Sequence, residues 1–165
     1  MRKGAGFTLI ELLITITVMV MLVTIAVISL RGNQVGARDE ERKTDVNVIA
    51  QQMENYYTSG TDSASATGSY PPTQLVDTEA EVKAALRDVD PKVLRAPDVP
   101  DASAMSFTVA TNNSQPSPAL NSYVYQPLTA DGSLCQTTSQ ECRRFTLYYI
   151  LEADNSLQKV ASKNQ

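Results

Sequence analysis

Residues 7–30 form an unbroken apolar run, FTLIELLITITVMVMLVTIAVISL, interrupted by a single charge, Glu11. Nothing else in the chain limits its folding so strongly. Roughly 24 residues make about 36 Å of helix, enough to cross the hydrocarbon core of a bilayer. A helix apolar on every side has to be buried, in protein or in lipid. A carboxylate inside such a span costs about 2.5–3.5 kcal/mol and as a rule faces a partner or a functional site. Cleavage after Gly6 would free an α-amino group on Phe7, one helical turn before Glu11. A chain cut there offers an amine and a carboxylate in one apolar setting, which suits subunits that stack rather than catalysis by one chain.

The stretch Gly6-Phe7-Thr8-Leu9-Ile10-Glu11-Leu12-Leu13-Ile14, behind a short leader carrying Arg2 and Lys3, resembles the class III signal of type IV pilins and pseudopilins. The resemblance implies that a prepilin peptidase cuts between Gly6 and Phe7 and methylates the Phe7 nitrogen, and that Glu11 is the assembly carboxylate. It also implies the partners: copies of the chain in a helical filament, with a cytoplasmic assembly ATPase and a membrane platform protein acting transiently. On this basis residues 1–6 are a leader, 7–30 a membrane and assembly segment, and 31–165 the rest of the helix plus a globular head. The chain would sit in the cytoplasmic membrane with its N-terminus inside, then in an extracellular filament. The likeness is strong over residues 1 to about 57 and only architectural beyond. Many members carry a Pro or Gly late in the apolar stretch; residues 7–30 contain neither, so no residue marks where the helix would loosen.

Other readings of the same segment fit less well. A secretory signal has an apolar core of about 7–15 residues followed by a small-residue cut, and Val35-Gly36-Ala37 comes only after a much longer run. A plain single-pass anchor explains the length but leaves Glu11 unexplained. Arg2 and Lys3 favour a cytoplasmic N-terminus, although Arg31 makes the asymmetry modest.

The chain has 14 basic and 18 acidic side chains, a net charge of −4; loss of Arg2 and Lys3 with the leader leaves 12 against 18, or −6. An acidic chain is poorly suited to a broad phosphate-binding face, and Arg143-Arg144 is the one C-terminal basic pair. Histidine is absent, which removes His-based triads, proton shuttles and metal sites. Gly32-Asn33-Gln34-Val35-Gly36 lacks the lysine of a phosphate-binding loop. No enzyme motif, cofactor or metal is indicated. Cys135 and Cys142 are the two cysteines. Two thiols without further ligands make a poor zinc site. In an exported chain a disulfide is the better reading, pinning the sheet's last hairpin, and two free thiols are the alternative in a weakly oxidising envelope.

Beyond Leu30 the helix is expected to continue past Gly32 and Gly36, each costing about 1 kcal/mol. Residues 38–43 (RDEERK) read as a solvated mixed-charge segment, with Asp39 and Lys43 at i,i+4. Val46, Ile49, Ala50, Met53, Tyr56 and Tyr57 then mark one apolar face, for a core or, less favoured, a binding surface. A continuous helix from Phe7 to Tyr57 would be about 76 Å long. Residues 58–69, rich in Thr, Ser, Gly and Ala, form a loop. Asn112-Asn113-Ser114 is a weak N-glycosylation sequon. Thr78-x-x-Glu81 is a capping box opening a short helix that ends near Asp88, with Val82, Ala85 and Leu86 inward. Strands are expected at 105–110, 122–127, 145–152 and 157–160, the last two joined by Ala153-Asp154-Asn155-Ser156. The fold class is α+β: a long N-terminal helix, its apolar half protruding, packed on a small antiparallel sheet.

Overall fold

The structure is a computed structural model that describes residues 7–60, 68–97, 99–100 and 104–164, and only the backbone of 28–31. It is α+β: α1 (Leu9–Ser59), a 3-10 turn (Thr73–Leu75), α2 (Glu79–Ala85), a second 3-10 turn (Pro91–Leu94), then β1 (Phe107–Val109), β2 (Tyr123–Leu128), β3 (Arg144–Ile150) and β4 (Leu157–Ala161). The chain divides into two compact units, residues 1–37 and 38–165.

In the first unit the described residues are almost entirely helix. Its apolar side chains are exposed, from 84% at Phe7 to 46% at Val27. Three threonines interrupt the run without leaving a hydroxyl unpaired: Thr15, Thr17 and Thr24 donate to the carbonyls of Leu12, Ile14 and Val20, each at 2.8 Å. Such back-bonding lets a hydroxyl sit in an apolar medium. The helix passes over Gly32 and Gly36 unbroken, and a Cβ built at either would meet nothing within 4 Å. Among the described residues, no close approach of another segment demands a glycine there.

The core of the second unit lies between one face of α1 and one face of the sheet. Val46, Ile49, Ala50, Met53 and Tyr56 pack with Phe107, Tyr123, Tyr125, Phe145, Leu147 and Tyr149 in one buried cluster. Each set has the spacing of its element, 3.6 on the helix and 2 on the strands, so the stripe at residues 46–57 is core. Tyr70 closes one end, its ring edge-on to Phe145 with centroids 4.8 Å apart. The capping box at Thr78 and Glu81 is formed, and α2 buries Val82, with Leu86 buried at its C-cap. The helix stops at Ala85, before the expected end near Asp88.

The sheet order is β1-β2-β3-β4, but the sheet is mixed rather than wholly antiparallel. β1 pairs parallel with β2, Phe107 opposite Tyr123, while β2–β3 and β3–β4 are antiparallel. A parallel pair needs a crossover of a dozen or more residues, and residues 110–122 supply it without a helix. Gln126 holds this connection. Alternation along β2 sends its side chain away from the core, where Nε2 donates to the carbonyls of Asn112 (3.1 Å) and Ser114 (2.9 Å) and Oε1 accepts from Tyr148 (3.3 Å). The expected turn joins β3 to β4, with Asn155 at φ 54°, a conformation that Asn tolerates.

Residues 38–43 are solvated only on one side, at Glu40, Glu41 and Lys43. Asp39 and Arg42 are 5% and 2% exposed. Asp39 accepts the backbone N–H groups of Glu152 (2.7 Å) and Ala153 (3.0 Å), and Arg42 donates to Asp39 (3.0 Å) and Glu152 (3.3 Å). Arg38 grips Glu152 with two parallel bonds, 2.8 and 2.5 Å. Lys43 pairs with Glu40 at 2.6 Å instead of Asp39, because Asp39 turns inward. The apparent surface charge run is therefore the joint between α1 and the β3–β4 turn.

Cys135 and Cys142 are disulfide-bonded and fully buried. Their loop sits in the β2–β3 connection, not at the last hairpin. It is tied to the segment after the Thr/Ser-rich loop: Tyr70 N–H donates to the Cys142 carbonyl (2.8 Å) and Thr73 N–H to that of Cys135 (3.1 Å). Most of the Thr/Ser-rich loop, 61–67, lies outside the described residues.

Candidate functional site

Phe7 and Thr8 immediately precede α1, and Glu11 stands in its first turn. Thr8 is the N-cap: its carbonyl accepts the Leu12 N–H at 3.2 Å, and its Oγ1 accepts the Glu11 N–H at 3.2 Å. Glu11 answers through Oε2, which accepts the Thr8 N–H (3.3 Å) and hydroxyl (3.2 Å). This is a reciprocal capping box, which satisfies two of the donors orphaned at a helix start. The carboxylate also lies at the positive end of the helix dipole.

The box answers part of the question posed by a charge in an apolar run. Glu11 is held back toward Thr8 and Phe7 by its own chain, so its position is set before any partner arrives. Its Oε1 accepts no hydrogen bond from the described residues, and it is the one charged group in the sequence from Phe7 to Leu30. Gly6, Arg2 and Lys3 lie outside the described residues, so the Gly6–Phe7 bond has no structural description here. Thr8-x-x-Glu11 has the same signature as Thr78-x-x-Glu81, so the cap is legible in the sequence.

In the second unit a cleft of about 650 Å³ is lined by Arg42, Val99, Met105, Ser106, Leu120 and Glu152 among others. Its two charged groups are already paired with each other at 3.3 Å. The described residues contain no group of three or more His, Cys, Asp or Glu placed to hold a metal ion.

One buried acid was not foreseen. Asp45 is 8% exposed and its Oδ2 lies 3.1 Å from the Tyr123 hydroxyl. Burial pushes its pKa up from 3.8 to about 7, against the opposing hydrogen bond from Tyr123. In sequence it is one more polar residue beside an apolar stripe, and only the position of Tyr123 reveals its setting.

Residues 1–29 match the family model described as the prokaryotic N-terminal methylation motif, the class III signal peptide of type IV pilins and pseudopilins. No curated protein and no solved structure gives a match to the chain. α1 is the one helix among the described residues that is long and apolar enough to cross a membrane.

Proposed function

We propose that this chain is a structural subunit of a type IV pilus-like filament, cleaved after Gly6, N-methylated on Phe7 and assembled through the apolar part of α1. One observation carries the reading: the methylation motif at residues 1–29 coincides with the apolar start of α1, where the described apolar side chains are exposed and the single charge, Glu11, is held at the N-terminal end. Before assembly, lipid covers that surface; in the filament, copies of the same helix cover it. The exchange gains little hydrophobic free energy because lipid is already apolar, so packing and polar pairing supply the specificity. The Glu11 carboxylate of one subunit would meet the Phe7 amine of a neighbour, each alone being a buried charge that costs about 3–5 kcal/mol when unpaired. The prepilin peptidase would act first, and an assembly ATPase with a membrane platform protein would supply the work of extraction. The mature chain would be a filament protein at the cell surface, serving adhesion, motility or DNA uptake, with no enzymatic activity of its own.

Because the motif is shared by pseudopilins, a short fibre of a secretion or competence machine is the second reading. Mass spectrometry of the mature protein tests the common step: a methylated Phe7 N-terminus is expected, and an intact Met1 or a start beyond Ala37 would refute it. Shearing cells and imaging the released material separates the readings. Long fibres built mainly of this chain support a pilin, short or trace incorporation a pseudopilin or minor subunit, and absence from any fibre a plain anchor.

A further inference from the structure

Glu11 leaves one acceptor unused. Its Oε2 is taken by the Thr8 N–H and hydroxyl, while Oε1 accepts nothing from the described residues. One turn further along the same helix face stands Thr15, at i+4 from Glu11, a spacing that puts Cβ atoms about 5–6 Å apart. The Thr15 hydroxyl donates to the Leu12 carbonyl at 2.8 Å. Its single proton is thereby committed, so toward any other group Oγ1 can only accept. Thr17 and Thr24 are back-bonded in the same way, but they lie about 180–200° round the helix from Thr15. The start of α1 thus offers two side-chain acceptors on one face, a carboxylate oxygen and a hydroxyl oxygen, and no donor among the described residues fills them. Thr15 also borders a shallow apolar groove with Ile14, Val18, Met19, Leu22 and Val23.

We propose that Thr15 is a positioning residue for assembly: its hydroxyl oxygen and Glu11 Oε1 together receive the Phe7 amine of a neighbouring subunit. The role presupposes the Glu11–Phe7 pairing proposed above. Donors and acceptors match in number. A protonated, singly methylated amine has two N–H groups; one meets the Glu11 carboxylate and the other the Thr15 hydroxyl. Without Thr15 the second N–H would face apolar side chains, and a charged donor left unpaired out of water is costly. The aromatic ring that accompanies the amine meets the apolar groove beside Thr15. A carboxylate alone attracts a cation from many directions. A second acceptor one turn on fixes the direction, and with it the offset between neighbouring helices.

The test counts fibres sheared from cells, per chain cleaved after Gly6, for Thr15→Val, Thr15→Ser and Thr17→Val, with Glu11→Gln alongside. Valine has the shape of threonine without the oxygen; serine keeps the oxygen and loses the methyl. Thr15→Val should lower fibre yield about tenfold, the scale of one lost hydrogen bond to a charged group. Thr15→Ser and Thr17→Val should assemble as wild type. Wild-type fibre numbers from Thr15→Val would overturn the proposal, and so would valine normal with serine impaired, which is the pattern of packing alone. An equal loss in Thr17→Val would overturn it too. Glu11→Gln separates the two claims. If it abolishes fibres while Thr15→Val does not, Thr15 has no such role and the Glu11 pairing stands; if Glu11→Gln assembles normally, the pairing fails and the role of Thr15 fails with it.

Discussion

A guanidinium that is 2% exposed, flanked by two carboxylates from opposite ends of the sequence, decides how α1 is fixed at the start of the second unit. Removing Asp39 leaves the buried Arg42 with only the longer 3.3 Å contact to Glu152 and takes the acceptor from the Glu152 and Ala153 N–H groups. Asp39→Ala should destabilise this unit by about 3–5 kcal/mol, a large fraction of a domain's stability. Chemical denaturation of the full-length protein in detergent measures it, with Lys43→Ala on the exposed side as a near-silent control. Glu152 adds a pH dependence of its own. Hydrogen bonds from Arg38 above all, and then from Arg42, hold its pKa below the ordinary 4.5. The folded pKa being the lower one, the stabilisation is full above pH 4.5 and is lost as pH falls below it. Glu152→Gln should flatten the acid limb of the stability profile. None of this was legible in the sequence. Arg-Asp-Glu-Glu-Arg-Lys has the composition of a solvated face, and the partner that buries it lies more than a hundred residues away.

Elements with strong local signals formed where the sequence placed them. The helical stripe from Val46 to Tyr56, the box at Thr78 and Glu81, and the Asp154-Asn155 turn depend on neighbours within a few residues, so periodicity and turn chemistry reveal them. The orientation of β1 was not legible, because three residues of strand carry no sign of direction, and the connection is placed by contacts distant in sequence, from Gln126 to Asn112 and Ser114 and from Leu134 to Asn113. Two element-scale outcomes are open to measurement. Gly32→Ala or Gly36→Ala should stabilise α1 by about 1 kcal/mol each, since neither site is crowded within the chain; greater helicity by circular dichroism is expected, and a loss would show that the glycines have a local role. Reduction of Cys135–Cys142, whose partners are separated by 7 residues, should cost about 2–3 kcal/mol by the chain-entropy argument. Alkylation of the native protein without reductant should label neither thiol.

At the scale of the molecule, the N-terminal methylation motif was the most legible property, because it is short and contiguous and does not depend on tertiary contacts. Gly6, Phe7 and Glu11 stand out through the resemblance of residues 6–14 to the class III signal. Glu11 also has an intrachain task, capping α1 with Thr8, and the Thr8-x-x-Glu11 signature of that box stands in the sequence. That cap allows two explanations of its presence. If Glu11 serves only as a cap, an uncharged acceptor of the same shape replaces it; if it neutralises the Phe7 amine of a neighbouring subunit, only the charge will do. Glu11→Gln retains a side-chain oxygen for the Thr8 N–H and hydroxyl while removing the charge, and should leave membrane insertion and cleavage after Gly6 unchanged. The most direct measurement is the number and length of fibres sheared from cells producing Glu11→Gln protein at wild-type level, counted by electron microscopy. Few or no fibres, with normally processed protein retained in the membrane, is the expected result; fibres of wild-type number and length would contradict assembly through the Glu11–Phe7 pair.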